Sequence, residues 1–186
     1  MQNNSDLRTR ILFTLAILLI YRFGTFVPIP GINSEIIQKF FTSEGSNIFG
    51  MINLFSGGAL ERMSIFALNI MPYITASIIM QLLTSMNKNL AALKKEGEYG
   101  QAKINQYIRY FTILLSFFQS MGVYYALSSI DNNAFITDSN IFMWTTCVSL
   151  VGGTVMLMWF GEKITASGIG NGISLIIFVG IVSSLP

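Results

Sequence analysis

The chain has 186 residues, of which 52% are hydrophobic and only 11% charged, and it carries a net charge of +2. A typical soluble domain is roughly 25% charged, so this composition cannot cover a soluble surface and points to a bilayer. With no histidine and one cysteine, Cys147, an intrachain disulfide and a His/Cys zinc cluster are excluded, and the small basic excess does not suggest nucleic acid.

Five apolar segments of 17 to 20 residues follow one another: 11–27, 65–83, 110–127, 141–160 and 169–185. At 1.5 Å rise per residue each approaches the roughly 30 Å of a hydrocarbon core, and helices satisfy their own backbone hydrogen bonds in lipid. All five are expected to span. The first contains Arg22, which costs about 2.5 to 3.5 kcal/mol near the bilayer centre and less near an interface. Eleven Leu, Ile, Phe or Val residues in the same segment oppose it. At about 0.3 to 0.6 kcal/mol each they supply roughly 3 to 7 kcal/mol, so insertion is favourable. Arg8 and Arg10 before an apolar run also fit a signal peptide, but no small-x-small cleavage site follows, and a retained helix is expected.

Between the first two spans the stretch Asn53-Leu54-Phe55-Ser56-Gly57-Gly58-Ala59-Leu60-Glu61-Arg62-Met63 mixes apolar residues with Gly, Ser and charge. It is too polar to span. One reading is a short helix dipping into the protein, which membranes tolerate where irregular backbone is shielded; the other is an external loop with a glycine turn. The second span contains Asn69 and Pro72 and is expected to be interrupted by the proline. Ile70 and Ile74 stand at i, i+4, as do Ile173 and Ile177 in the fifth span, so each pair shares a helix face. Such pairs either face lipid and core or line an apolar constriction that excludes water. Lys94-Lys95-Glu96-Gly97-Glu98 and the residues up to Arg109 read as a solvated polar loop. Thr75, Ser77, Gln81, Ser116 and Gln119 are polar residues within spans, the two glutamines being the harder to satisfy in lipid. Gly168-Ile169-Gly170-Asn171-Gly172 resembles a phosphate cradle in composition, but it follows a spanning helix and not a strand, so a tight turn is expected.

Lys and Arg stay preferentially on the cytoplasmic side. Eight of them, Arg8, Arg10, Lys88, Lys94, Lys95, Lys103, Arg109 and Lys163, fall on the N-terminal side of the five-span arrangement, against Lys39 and Arg62 on the other. The N-terminus is therefore expected in the cytoplasm and Pro186 outside. Acidic residues lie almost wholly in connections, so an intramembrane enzyme lacks its paired acids or nucleophile and base, and no catalytic, metal or cofactor residue is assigned. Half of an inverted-repeat solute transporter stays open as an alternative, although such a protein should place polar ligands where this one has isoleucine.

Several stretches together resemble one family. Tyr21 to Gly31, Asn53 to Leu60, Ile70 to Leu83, Lys94 to Glu98, Met158 to Thr165 and Gly168 to Ser174 are similar, in this order, to the SecY family, the channel subunit of the bacterial Sec protein translocase. The resemblance implies an all-α, multi-span membrane helix bundle, five transmembrane helices plus a short re-entrant plug helix at Asn53 to Met63, forming one half of an inverted-repeat channel in the bacterial plasma membrane. It implies a pore ring to which Ile70, Ile74, Ile173 and Ile177 contribute, and a lateral gate with Thr75, Ile78 and Gln119. It implies SecE and SecG as fellow subunits, a SecA motor or a translating ribosome as the source of drive, signal sequences and translocating polypeptides as clients, lipid as surroundings, and no direct contact with nucleic acid. Asn69 stands where the family usually has glycine. The family has ten spans and this chain has five, so a fragment, a truncated gene model or a split arrangement is expected.

Overall fold

The computed structural model of the chain describes residues 3–32, 56–130 and 139–184. Six helices occupy them: α1 (Asn3–Gly24), α2 (Met71–Met86), α3 (Lys88–Lys95), α4 (Glu98–Ile130), α5 (Ser139–Ser167) and α6 (Gly172–Ser184). Two are long and apolar enough to cross a membrane unaided, over Glu98–Ser129 and Asn140–Ser167. α2 and α6, with 16 and 13 residues, are apolar but shorter. Three arginines, Arg8, Arg10 and Arg22, keep α1 from presenting a continuous apolar stretch of that kind.

The second span starts later than expected. Residues 65–70 form turns, the helix begins at Met71, and Pro72 lies in its first turn. Proline there removes an N–H that has no intrahelical partner anyway, so Pro72 opens the helix and does not interrupt it. The polar stretch after this span also differs from the expected loop: it is helical. Asn87 ends α2 by donating its N–H to Leu83 O at 2.9 Å and starts α3 by accepting from Asn89 N at 3.0 Å. Gly97, at φ +79°, turns the chain into α4. With 33 residues, α4 is about 50 Å long, well beyond the roughly 30 Å of a hydrocarbon core.

Short polar residues let the helices approach. Thr112, Ser116 and Ser120 are buried at four-residue spacing on α4, and their hydroxyls donate to backbone oxygens of Ile108, Ile113 and Phe117 at 2.7 to 2.8 Å. Such residues leave no polar group facing lipid and take little room. α5 is the hub, in contact with α1, α2, α4 and α6. A Cβ on its Gly153 would run into the Ile65 carbonyl, and one on Gly172 of α6 would run into the Gly161 carbonyl of α5, so both close approaches require glycine. In the first half of α4, Arg109 grips Glu162 of α5 with two parallel hydrogen bonds of 2.8 and 2.6 Å.

Candidate functional site

The main apolar cluster forms where α1, α5, α6 and the start of α2 meet. Ile17, Tyr21, Phe66, Ile70, Leu157, Phe160, Ile164 and Ile176 are its buried members, and Ile74, Ile173 and Ile177 pack against it. All four isoleucines singled out in the sequence thus converge on one cluster. They are not equivalent: Ile70 is 1% exposed, whereas the other three are half-buried. Ile173 and Ile177 share a face of α6 as expected, but Ile70 precedes α2 instead of lying on its face, with its carbonyl accepting from Ile74 N at 3.1 Å; the packing of α6 against α5 and of α2 against its preceding turns brings the four together.

Of the expected plug, Asn53, Leu54 and Phe55 lie outside the described residues. Ser56 to Met63 is a run of turns and not a helix, for a backbone reason: Gly57 and Gly58 take φ +66° and +77°, and a right-handed helix cannot pass through consecutive residues of that hand. It is not an external loop either. Ser56, Ala59, Met63 and Ser64 are buried, and the carbonyls of Ser56, Ala59 and Leu60 are met within the segment by the N–H groups of Ala59, Ser64 and Met63. Irregular backbone shielded by protein in this way is what a membrane tolerates.

The turns are clamped to the chain leaving α1. Ile29 N donates to Met63 O at 2.9 Å and Ile65 N to Val27 O at 3.1 Å, flanking an antiparallel bridge between Pro28 and Ser64. Pro28 occupies the position of that pair at which no N–H is called for. Beyond, Asn69 adopts φ +50°. Among non-glycine residues asparagine accepts the left-handed region most readily, so Asn69 can hold a backbone conformation that glycine would also favour.

Of the expected lateral-gate residues, Thr75 and Ile78 lie on α2 and Gln119 on α4. Thr75 donates to Met71 O at 3.0 Å, which satisfies it within its own helix. Ile78 is 53% exposed on the outside of α2. Gln119 lines an apolar cleft of about 450 Å³ between α4, the start of α2 and the turns, with Leu60, Leu68, Asn69 and Val123. Its Oε1 is buried there without a hydrogen-bond partner.

The glycine-rich run between α5 and α6 is a tight turn in which the N–H groups of Gly168, Ile169 and Gly172 are engaged. Gly168 N donates to Ile164 O, Ile169 N to Thr14 Oγ1, Gly172 N to Thr165 Oγ1 at 2.9 Å and Ile173 N to Asn171 Oδ1 at 3.1 Å. A phosphate would find these N–H groups taken. Among the described residues no group of three or more His, Cys, Asp or Glu side chains could hold a metal.

A family model described as SecY matches residues 64–186, about two thirds of the chain. The chain belongs to the SecY family. Its relatives include the protein translocase subunits SecY of Vibrio cholerae, 52% identical over 98% of this chain, and of Escherichia coli, 51% identical over 97%. That of Rickettsia conorii is 53% identical over 100%. This SecY-family chain spans 41% to 43% of the length of these three relatives. Among solved structures, Sec61 in the canine ribosome-channel complex from the endoplasmic reticulum has a TM-score of 0.64 at 19% identity, covering 93% of this chain and 36% of that one. A structure described as that of a protein conducting channel gives the same values. The fold is therefore shared with channels of this architecture across a wide sequence distance.

Sequence reasoning missed the contacts that fasten the turns. Arg22 Nη1 donates to Gly57 O at 3.1 Å, and the guanidinium groups of Arg22 and Arg62 lie 5.0 and 4.4 Å from the centre of the Phe26 ring. The available signal was a cation inside an otherwise apolar span.

Proposed function

We propose that the chain is the N-terminal half of the central subunit of a protein-conducting channel. That channel carries signal-sequence-bearing polypeptides across the bacterial plasma membrane or releases them sideways into lipid. The observation that carries the reading is the convergence, in a SecY-family chain, of Ile70, Ile74, Ile173 and Ile177 on one apolar cluster. Branched apolar side chains offer a passing polypeptide no strong binding site and let a closed constriction exclude water and ions. Permissiveness and sealing follow from the same chemistry.

In this reading the five spans run with the N-terminus in the cytoplasm, and the activity is passage without bond chemistry. Residues 53–63 form the plug that closes the channel at rest. Thr75, Ile78 and Gln119 belong to the wall of a lateral gate, where the exposed Ile78 meets an arriving signal sequence. Partition of that apolar helix toward lipid favours the open state. SecE and SecG complete the channel, and SecA or a translating ribosome supplies directed movement.

The test is made on the complete channel containing this half. Deleting residues 55–63 is expected to raise the resting ion conductance and to admit substrates with defective signal sequences, and a photoreactive residue at position 74 is expected to crosslink to a translocating polypeptide. Unchanged conductance would remove the plug assignment. Saturable uptake of a small solute without crosslinking would replace the channel by a transporter.

A further inference from the structure

The contacts around Gly57 join three elements at one point. Its carbonyl receives the Arg22 guanidinium of α1 at 3.1 Å. Its α-carbon faces α6 so closely that an added Cβ would stand 2.9 Å from Gly180 O and 3.0 Å from Ser183 Oγ. At φ +66° the residue also points its carbonyl in a direction unavailable to a helical residue. Five residues on, Arg62 stacks over Phe26, whose ring Arg22 also approaches. A single turn of α1 and its exit, residues 22 to 26, therefore holds both ends of the run 57–62.

We propose that Arg22 is a latch: its hydrogen bond to the Gly57 carbonyl, with Phe26 bridging to Arg62, holds the turns 56–63 in the resting position, and release of the plug requires this joint to part. The proposal rests on the plug reading given above. It explains why a cation is kept within an apolar span. Arg22 lies in the last turn of α1, where the free carbonyls of the helix end favour positive charge, and it spends one donor on a backbone oxygen in surroundings of low dielectric. A lysine at this position keeps the charge and can still reach one acceptor; methionine keeps the apolar stem and loses both.

The complete channel is reconstituted into vesicles in matched amounts, and resting ion leak is read for the wild type, Arg22→Met, Arg22→Lys, the deletion of residues 55–63, and Arg22→Met combined with that deletion. Arg22→Met is expected to raise the leak roughly tenfold or more, as loss of a hydrogen bond to a charged group implies. Arg22→Lys is expected to restore most of the seal, and the combined variant to leak no more than the deletion alone. A tight Arg22→Met channel beside a leaky deletion overturns the latch and leaves the plug standing. A tight deletion removes the plug reading and the latch with it. Extra leak in the combined variant also overturns the proposal, because Arg22 would then be acting elsewhere. Should Arg22→Met fail to accumulate, Gly57→Ala displaces the carbonyl that Arg22 holds, because its Cβ would stand 2.9 Å from Gly180 O at φ +66°, and a tight channel from that variant refutes the latch equally.

Discussion

Leu157→Ala tests the physical basis of the isoleucine cluster. Leu157 is 0% exposed and sits on α5 among Ile70, Ile164 and Ile176, themselves buried. In water-soluble cores a leucine-to-alanine change costs about 2.7 to 5.0 kcal/mol, and at about 0.8 kcal/mol per carbon the three lost carbons account for roughly 2.4 of it as transfer from water. In a bilayer that part falls away, because the opened side chain lies among acyl chains as apolar as itself. What remains is the lost packing around the void. The neighbours are held by the close approaches at Gly153 and Gly172 and cannot collapse freely, so a cost of about 1.5 to 2.5 kcal/mol is expected. Cys147, the single cysteine, is 2% exposed on the same helix, so its labelling by a membrane-permeant maleimide reports opening. Where reclosing outruns labelling, the rate tracks the open population and should rise roughly ten- to seventyfold. Leu114→Ala, at a side chain 52% exposed to the surroundings, is the control and should change it less than about twofold. Equal rates for the two variants would refute the role of the cluster. A rise beyond roughly 150-fold would mean that the opened side chain meets water and not lipid.

Ile74→Gly should loosen the resting seal of the complete channel, and an unaltered ion leak would mark Ile74 as a packing residue without a part in the constriction. Asn171→Ala removes the side chain that accepts from Ile173 N and should cost about 0.5 to 2 kcal/mol, whereas Asn171→Gly should cost only a few tenths; the Cys147 labelling rate ranks the two. Arg109→Met and Glu162→Gln, singly and together, should give a coupling of about 0.2 to 1 kcal/mol that shrinks with added salt, because the partners are 48% and 29% exposed despite their bidentate geometry. A larger, salt-insensitive coupling in that double-mutant cycle would show the pair to be shielded from solvent.

Each kind of expectation succeeded or failed for a reason found in particular residues. The spacing of Ile173 with Ile177 is a property of a single helix and is readable without knowledge of the packing, whereas Ile70 stands just before α2 and is tied to Ile74 by the bond from Ile74 N to Ile70 O. That α2 begins at Met71 was not readable from hydropathy, because Ile65, Phe66, Ala67 and Leu68 are as apolar as the helix that follows. Their conformation is decided by Asn69 in the left-handed region, by Pro72 in the first turn and by the bridge to Pro28. In the described part of the expected plug, residues 56–63, the reason for turns in place of helix is of the same kind, since two glycines of positive φ outweigh an amphipathic-looking composition. Lys94 to Arg109 reads as a loop from its polarity alone, yet the helix capped by Asn87 reaches Lys95 and α4 begins at Glu98.

Local composition and periodicity, then, determined that this chain lives in a bilayer, that it is built of helices, and which faces of those helices are apolar, because these depend on residues a few positions apart and on the energy of placing charge in lipid. Which apolar faces meet could not be decided locally. It follows from contacts across long separations, Arg22 with Gly57, Thr14 with Ile169, Gly153 with Ile65, each made possible by a small residue or a special backbone angle whose partner the sequence does not name.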